Sequence, residues 1–227
     1  MKAFAEKVLA NVKFSNIVEY RGIFKRGGGK EGVENKEIYF LFTDTGSLLA
    51  KAINHITGHS YNHVSIGFDE ALRELYSFGR KNEKNPFIGG FVKENKNCDF
   101  LKNAVCEIYS CKVTADEYEI ILQNIKEIEA RSNHYKYNFI GLFGILLQIE
   151  INRKCAFFCS QFVATVAEGT GVLKLSKPAC FVTPADIRSH QQLKLLYNGK
   201  LSGYPKALLR KEDAAGLKEC EGNHAFG

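Results

Sequence analysis

The stretch "FFCSQFVATVAEGTG", residues 157–171, decides the fold. Cys159, Phe162, Val163 and Val166 fall at i, i+3, i+4 and i+7, which is one face of a helix. Gly169 and Gly171 supply its stop. Cys159 therefore opens the helix, where unpaired amides and the helix dipole gather and favour a thiolate. Position alone leaves two readings: a small residue filling a packed helix start, or a reactive thiol. The rest of the chain has to supply a base before the second reading gains weight.

His63 is the candidate. It begins "HVSIGF", residues 63–68, whose alternation places His63, Ser65 and Gly67 on one face and Val64, Ile66 and Phe68 on the other. Small and polar residues line the histidine face, as they would a cleft; a lone histidine also reads as a satisfied surface or core residue. His55, His59 and His63 are spaced four apart, which would make a metal face on an uninterrupted helix. Thr57-Gly58 should end that helix, so neither a metal nor another cofactor is expected.

Around these two blocks the chain reads as mixed α and β. "EIYFLFT" (37–43) is a strand, and a helix follows from Asp44, Thr45 or Ser47 to Gly58. "HVSIGF" and "ELYSFG" make a hairpin across "DEAL", and "NPFIGGFVKE" reads as a Gly- and Pro-punctuated loop. "AVCEIYSCKV" (104–113) alternates as a strand. Thr114 to Glu117 form a capping box for a helix with Tyr118, Ile121, Leu122, Ile125 and Ile128 at helical spacing. "RSNHYKYN" is a polar loop, and "FIGLFGILLQI" (139–149) a buried helix or strand. "TPAD" (183–186) starts another helix with Pro184 at its first position.

Composition narrows the class. The 227 residues are 45% hydrophobic and carry a net charge of +6. Seven Lys/Arg fall within residues 1–30 against Glu6 and Glu19. Such an end could touch anionic lipid or phosphate, or simply be solvated. No aromatic-basic interleaving or base-reading motif accompanies it, so nucleic acid is not an expected partner, while membrane-surface contact through the basic ends stays open. The longest apolar run, 139–149, is far below the ~20 residues of a spanning helix, and no secretory signal is visible. Seven cysteines without paired CxxC spacing suggest free thiols in a reducing, cytoplasmic compartment.

Taken together, "TGHSYNHVSIGFD…LYSFGR…GGFV" followed by "YNFIGLFGILL…FFCSQFVATVAEGTGV…TPADI" resembles the circularly permuted papain-like cysteine hydrolases, the YiiX-like branch of the NlpC-type superfamily, related to the lecithin:retinol acyltransferase group. The likeness runs from about Ile38 to Ile187, and histidine precedes cysteine as the permuted branch requires. It implies an α+β fold in which an antiparallel sheet or partial barrel packs on the cysteine helix. It implies Cys159 as nucleophile and His63 as base, acting through a thioester acyl-enzyme. It also implies a polar residue orienting the histidine from near the end of "RELYSFG". Ser77 fits the family spacing, whereas a one-residue slip would present Glu74 or Tyr76. Glu74 is the better orienter chemically, because a carboxylate stabilises imidazolium. Tyr137 resembles the tyrosine that completes the oxyanion hole, though its spacing departs from the usual one.

The expected organisation is an N-terminal extension (1–36), a permuted papain-like catalytic domain (37–200) and a C-terminal tail (201–227). The expected function is cysteine amidase, peptidase or acyltransferase chemistry on a small-molecule, peptide or lipid amide or ester. The alternative is a catalytically weak or inactive binding module on the same fold.

Overall fold

The run Ile38–Phe42 is buried on both faces, every residue at 6% exposure or less, and this continuous apolar run makes its strand the centre of the sheet. The computed structural model describes residues 35–44, 58, 60–81, 89–137 and 156–204. Within them a six-stranded antiparallel open sheet runs in the order β4-β3-β2-β1-β5-β8. Its strands are β1 (Asn35–Asp44), β2 (His63–Gly67), β3 (Leu75–Arg80), β4 (Gly89–Glu94), β5 (Val105–Thr114) and β8 (Lys194–Lys200). Two short strands, β6 (Lys136–Tyr137) and β7 (Ala156–Phe157), pair in parallel. The helices are α1 (Asp99–Lys102), α2 (Ala115–Ala130), α3 (Cys159–Val166) and α4 (Pro184–Arg188). The fold is α+β.

Each face of the sheet has its own apolar cluster. Ile38, Phe40, Phe42, Val64, Ile66 and Phe78 pack with Ile121, Ile125 and Ile128 of α2 and with Phe162, Val163 and Val166 of α3. Tyr39, Leu41, Leu75, Cys106 and Ile108 pack on the other side with Leu72, Leu101, Leu201 and Tyr204. The period-2 alternation of β1 and β2 produces this division.

The helix starts expected at Thr114 and at Thr183 are present. Thr114 caps α2 with a reciprocal box, the Glu117 amide donating to Thr114 Oγ1 at 3.2 Å and the Thr114 amide to Glu117 Oε2 at 2.8 Å. Thr183 caps α4 in the same way through Asp186, with Pro184 at the first helical position.

The sheet departs from expectation at "NPFIGGFVKE". Its second half is not loop but β4, paired with β3 along its whole length. Gly79 stands opposite Gly90, and a Cβ on Gly90 would meet Lys81 Cε at 3.1 Å and the Tyr135 carbonyl at 3.3 Å. These glycines mark close backbone approach, not chain reversal. β6 likewise lies inside the expected polar loop, and β8 adds a strand to those expected. The expected helix after Asp44 and the apolar run 139–149 lie outside the described residues, as do His55 and His59. Among the described residues no helix is long and apolar enough to cross a membrane.

Candidate functional site

Cys159 is the first residue of α3, and the aromatic residues around it fix where that helix begins. Phe157, two positions earlier, and Phe162, three later, both pack on Phe78 of β3, with ring centroids 5.2 and 5.3 Å away. Phe91 of β4 adds a contact to Phe162 at 5.9 Å. Such pairs each contribute about 0.5–1.5 kcal/mol beyond area burial. Polar bonds hold both helix ends. Ser160 Oγ donates to the Val182 carbonyl at 2.6 Å, tying the first turn to the segment before α4. Asn124 Nδ2 of α2 donates to the Val166 carbonyl at 2.9 Å, satisfying an orphan acceptor at the last turn. No side chain caps the N-terminus: Phe158 is the N-cap residue and makes no side-chain bond there. The first-turn amides are thus not taken up by a capping side chain, as anion stabilisation at this end requires.

The Cys159 thiol points to the start of β2, donating to the Asn62 carbonyl at 3.8 Å. The next residue is His63. Its Nε2 lies 2.6 Å from Glu94 Oε1, and both side chains are nearly enclosed, at 12% and 10% exposure. Ser65 Oγ donates to the other carboxylate oxygen, Glu94 Oε2, at 2.5 Å. Burial disfavours the charged ring, but the Glu94 carboxylate and the Cys159 sulfur, through charge and hydrogen bonding, push the His63 pKa up to about 10. Burial would raise the Glu94 carboxyl, yet the His63 charge and the bonds from His63 and Ser65 outweigh it and hold it below the ordinary carboxylate range.

The structure thus brings together Cys159 and His63 and adds Glu94. It does not bring Ser77 or Glu74 to the ring. Ser77 is fully buried and its hydroxyl donates to the Val64 carbonyl at 2.9 Å. Glu74 is exposed and accepts from Tyr76 Oη at 2.9 Å. The reason lies in strand pairing: β2 and β3 are laddered only at Ile66↔Tyr76 and Gly67↔Leu75, and beyond that point the Ser77 hydroxyl takes up the Val64 carbonyl. Glu94 instead reaches the ring past Gly79, where a Cβ would sit 3.5 Å from His63 Cε1 and 3.8 Å from Glu94 Oε1. The main chain of Tyr137 pairs with Phe157, two residues before the cysteine.

Reading "NPFIGGFVKE" as a loop concealed Glu94, because a loop residue has no face. The short alternation Gly90, Val92, Glu94 was the available signal. Among the described residues no group of three or more His, Cys, Asp or Glu side chains could hold a metal ion. No family model, no curated protein and no solved structure matches this chain.

Proposed function

We propose that this chain is a cysteine hydrolase or acyltransferase of permuted papain-like type, acting on an amide or ester carbonyl. The observation that supports it most is the His63 ring 2.6 Å from a buried carboxylate and next in sequence to Asn62, whose carbonyl meets the Cys159 thiol at a helix N-terminus. His63 holds the proton of the Cys–His pair, and the thiolate attacks the carbonyl carbon. A C–S bond forms, and the negative charge on oxygen is met by the Cys159 amide at the start of α3. Collapse breaks the C–N or C–O bond, and His63 returns its proton to the departing amine or alcohol. Water or another acceptor then attacks the thioester, losing its proton to His63 and releasing the acyl group. Glu94 fixes the ring orientation and stabilises the imidazolium through both steps.

The thiol itself is covered, at 3% exposure. A substrate carbonyl reaches it only after that cover moves. The same burial favours a second reading, a packed structural cysteine in a non-catalytic binding module.

Intact mass after incubation with a panel of activated esters and amides separates the two. The enzyme reading predicts an acyl adduct on the wild type that is absent from Cys159→Ala. A wild type that never acquires mass, with the ester hydrolysed no faster than in buffer, supports the binding module.

A further inference from the structure

A guanidinium outside the reacting groups reaches the segment that leads into His63. We propose that Arg188 binds a carboxylate carried by the substrate close to its scissile carbonyl, which selects N-acyl amino acids and short peptides over neutral acyl lipids. The inference rests on the cysteine-enzyme reading above and specifies its substrate.

The argument begins at the thiol. Cys159 Sγ meets the Asn62 carbonyl, and Tyr61 is the residue before it. Tyr61 is therefore two residues from His63, at most about 7 Å along the chain. Arg188, the last residue of α4, places Cζ 5.1 Å from the Tyr61 ring centroid. Ile187 beside it is buried in the same cluster as Cys159 and Phe162, so α4 is anchored against α3. The guanidinium thus lies against Tyr61, in the segment that leads into His63, where an aromatic face attracts a cation.

Among the described residues its partner engages one of its donors. Arg188 Nη1 donates to Glu107 Oε2 at 3.3 Å, and among the described residues that is its one hydrogen bond. Glu107 is well supplied without it. Tyr109 Oη donates to the same oxygen at 2.9 Å, and Asn198 Nδ2 donates to Oε1 at 3.3 Å. A guanidinium carries five donors in a fork matched to a carboxylate. Here one donor makes a long bond to an acceptor already satisfied, and the side chain is 30% exposed.

Alkylation of Cys159 tests this on the full chain, with iodoacetate as the anionic probe and iodoacetamide as the neutral reference, read by peptide mass. Any preference due to the His63 charge is common to all variants and cancels in the comparison. The expected result is a wild-type preference for iodoacetate that falls about tenfold in Arg188→Gln. Glu107→Gln removes the competing charge, keeps one oxygen as acceptor for Asn198 while the Tyr109 hydroxyl can turn to accept from the new amide, and should raise the preference about threefold. An unchanged ratio in Arg188→Gln overturns the inference; if that variant does not fold, an unchanged ratio in Glu107→Gln does so. A wild-type Cys159 that neither reagent labels overturns the catalytic reading, and this one with it.

Discussion

Glu94 Oε1 lies 2.6 Å from His63 Nε2, although β3 separates the strands that carry them. The contact depends on β3 presenting almost nothing in between. Gly79 has no side chain there, and the Ser77 hydroxyl is turned to the Val64 carbonyl.

Gly79 therefore sets a size limit. An alanine methyl would rest in ordinary contact, 3.5 Å from His63 Cε1 and 3.6 Å from Val92 Cγ2. Gly79→Ala should keep both fold and thiol reactivity. Gly79→Val has no room beyond the first carbon and must displace the ring or the carboxylate. It should slow turnover of an activated ester about a hundredfold while lowering stability by about 1–3 kcal/mol. Turnover and thermal melts of the two variants check this.

The Glu94 charge is the largest single cause raising the His63 pKa, acting against burial. Proton NMR of the ring should show a titration midpoint near 10 in the wild type. Glu94→Gln should bring that midpoint down, because burial then loses its chief opponent. The Cys159 sulfur still raises it, so Cys159→Ala should lower the midpoint separately.

The same shifts give stability a pH signature. The folded His63 pKa is raised from 6.5 to about 10, so its contribution is full below 6.5 and is lost as pH rises towards 10. The folded Glu94 pKa is lowered from 4.5, so its contribution is full above 4.5 and is lost on acidification through the folded value. The Tm gap between wild type and Glu94→Gln should be widest between about pH 4.5 and 6.5 and shrink steadily towards pH 10. A gap that widens on the alkaline side contradicts the pairing.

Ser65 holds the second carboxylate oxygen from a fully buried position. Ser65→Ala leaves that oxygen without its donor, at a cost of about 1–3 kcal/mol. Denaturant unfolding should show this loss, and Ser65→Cys should not fully restore it, since a thiol is a weak donor.

How much of this was legible in the sequence follows the strength of local signals. Strict periodicity and caps located β1, β2, α2, α3 and the start of α4, because alternation, helical spacing, the Thr114 box and Pro184 at a first helical position are written in neighbouring residues. The Cys159–His63 pair followed from a helix start and a strand face. Glu94 did not, for two reasons. Paired glycines made β4 look like a loop, and the partial unpairing of β2 from β3 is a tertiary event that no local pattern records. A register argument from an ideal hairpin leads to Ser77 or Glu74, whereas the carboxylate on the ring comes from one strand further out.

The most direct test of the central claim is the order in which the cysteines are alkylated. Exposure alone favours Cys98 and Cys180, which are half-buried, over the buried Cys106, Cys111 and Cys159. Burial pushes the Cys106 and Cys111 thiols up to about 12 and 11, so they should react last. The experiment is limited labelling of the native chain with iodoacetamide at pH 6, mapped by peptide mass. A thiol activated by His63 and Glu94 predicts that Cys159 is labelled ahead of Cys98 and Cys180 despite its burial, and that His63→Ala abolishes the lead. Labelling that follows exposure, with Cys159 among the slow thiols in both proteins, would contradict the account.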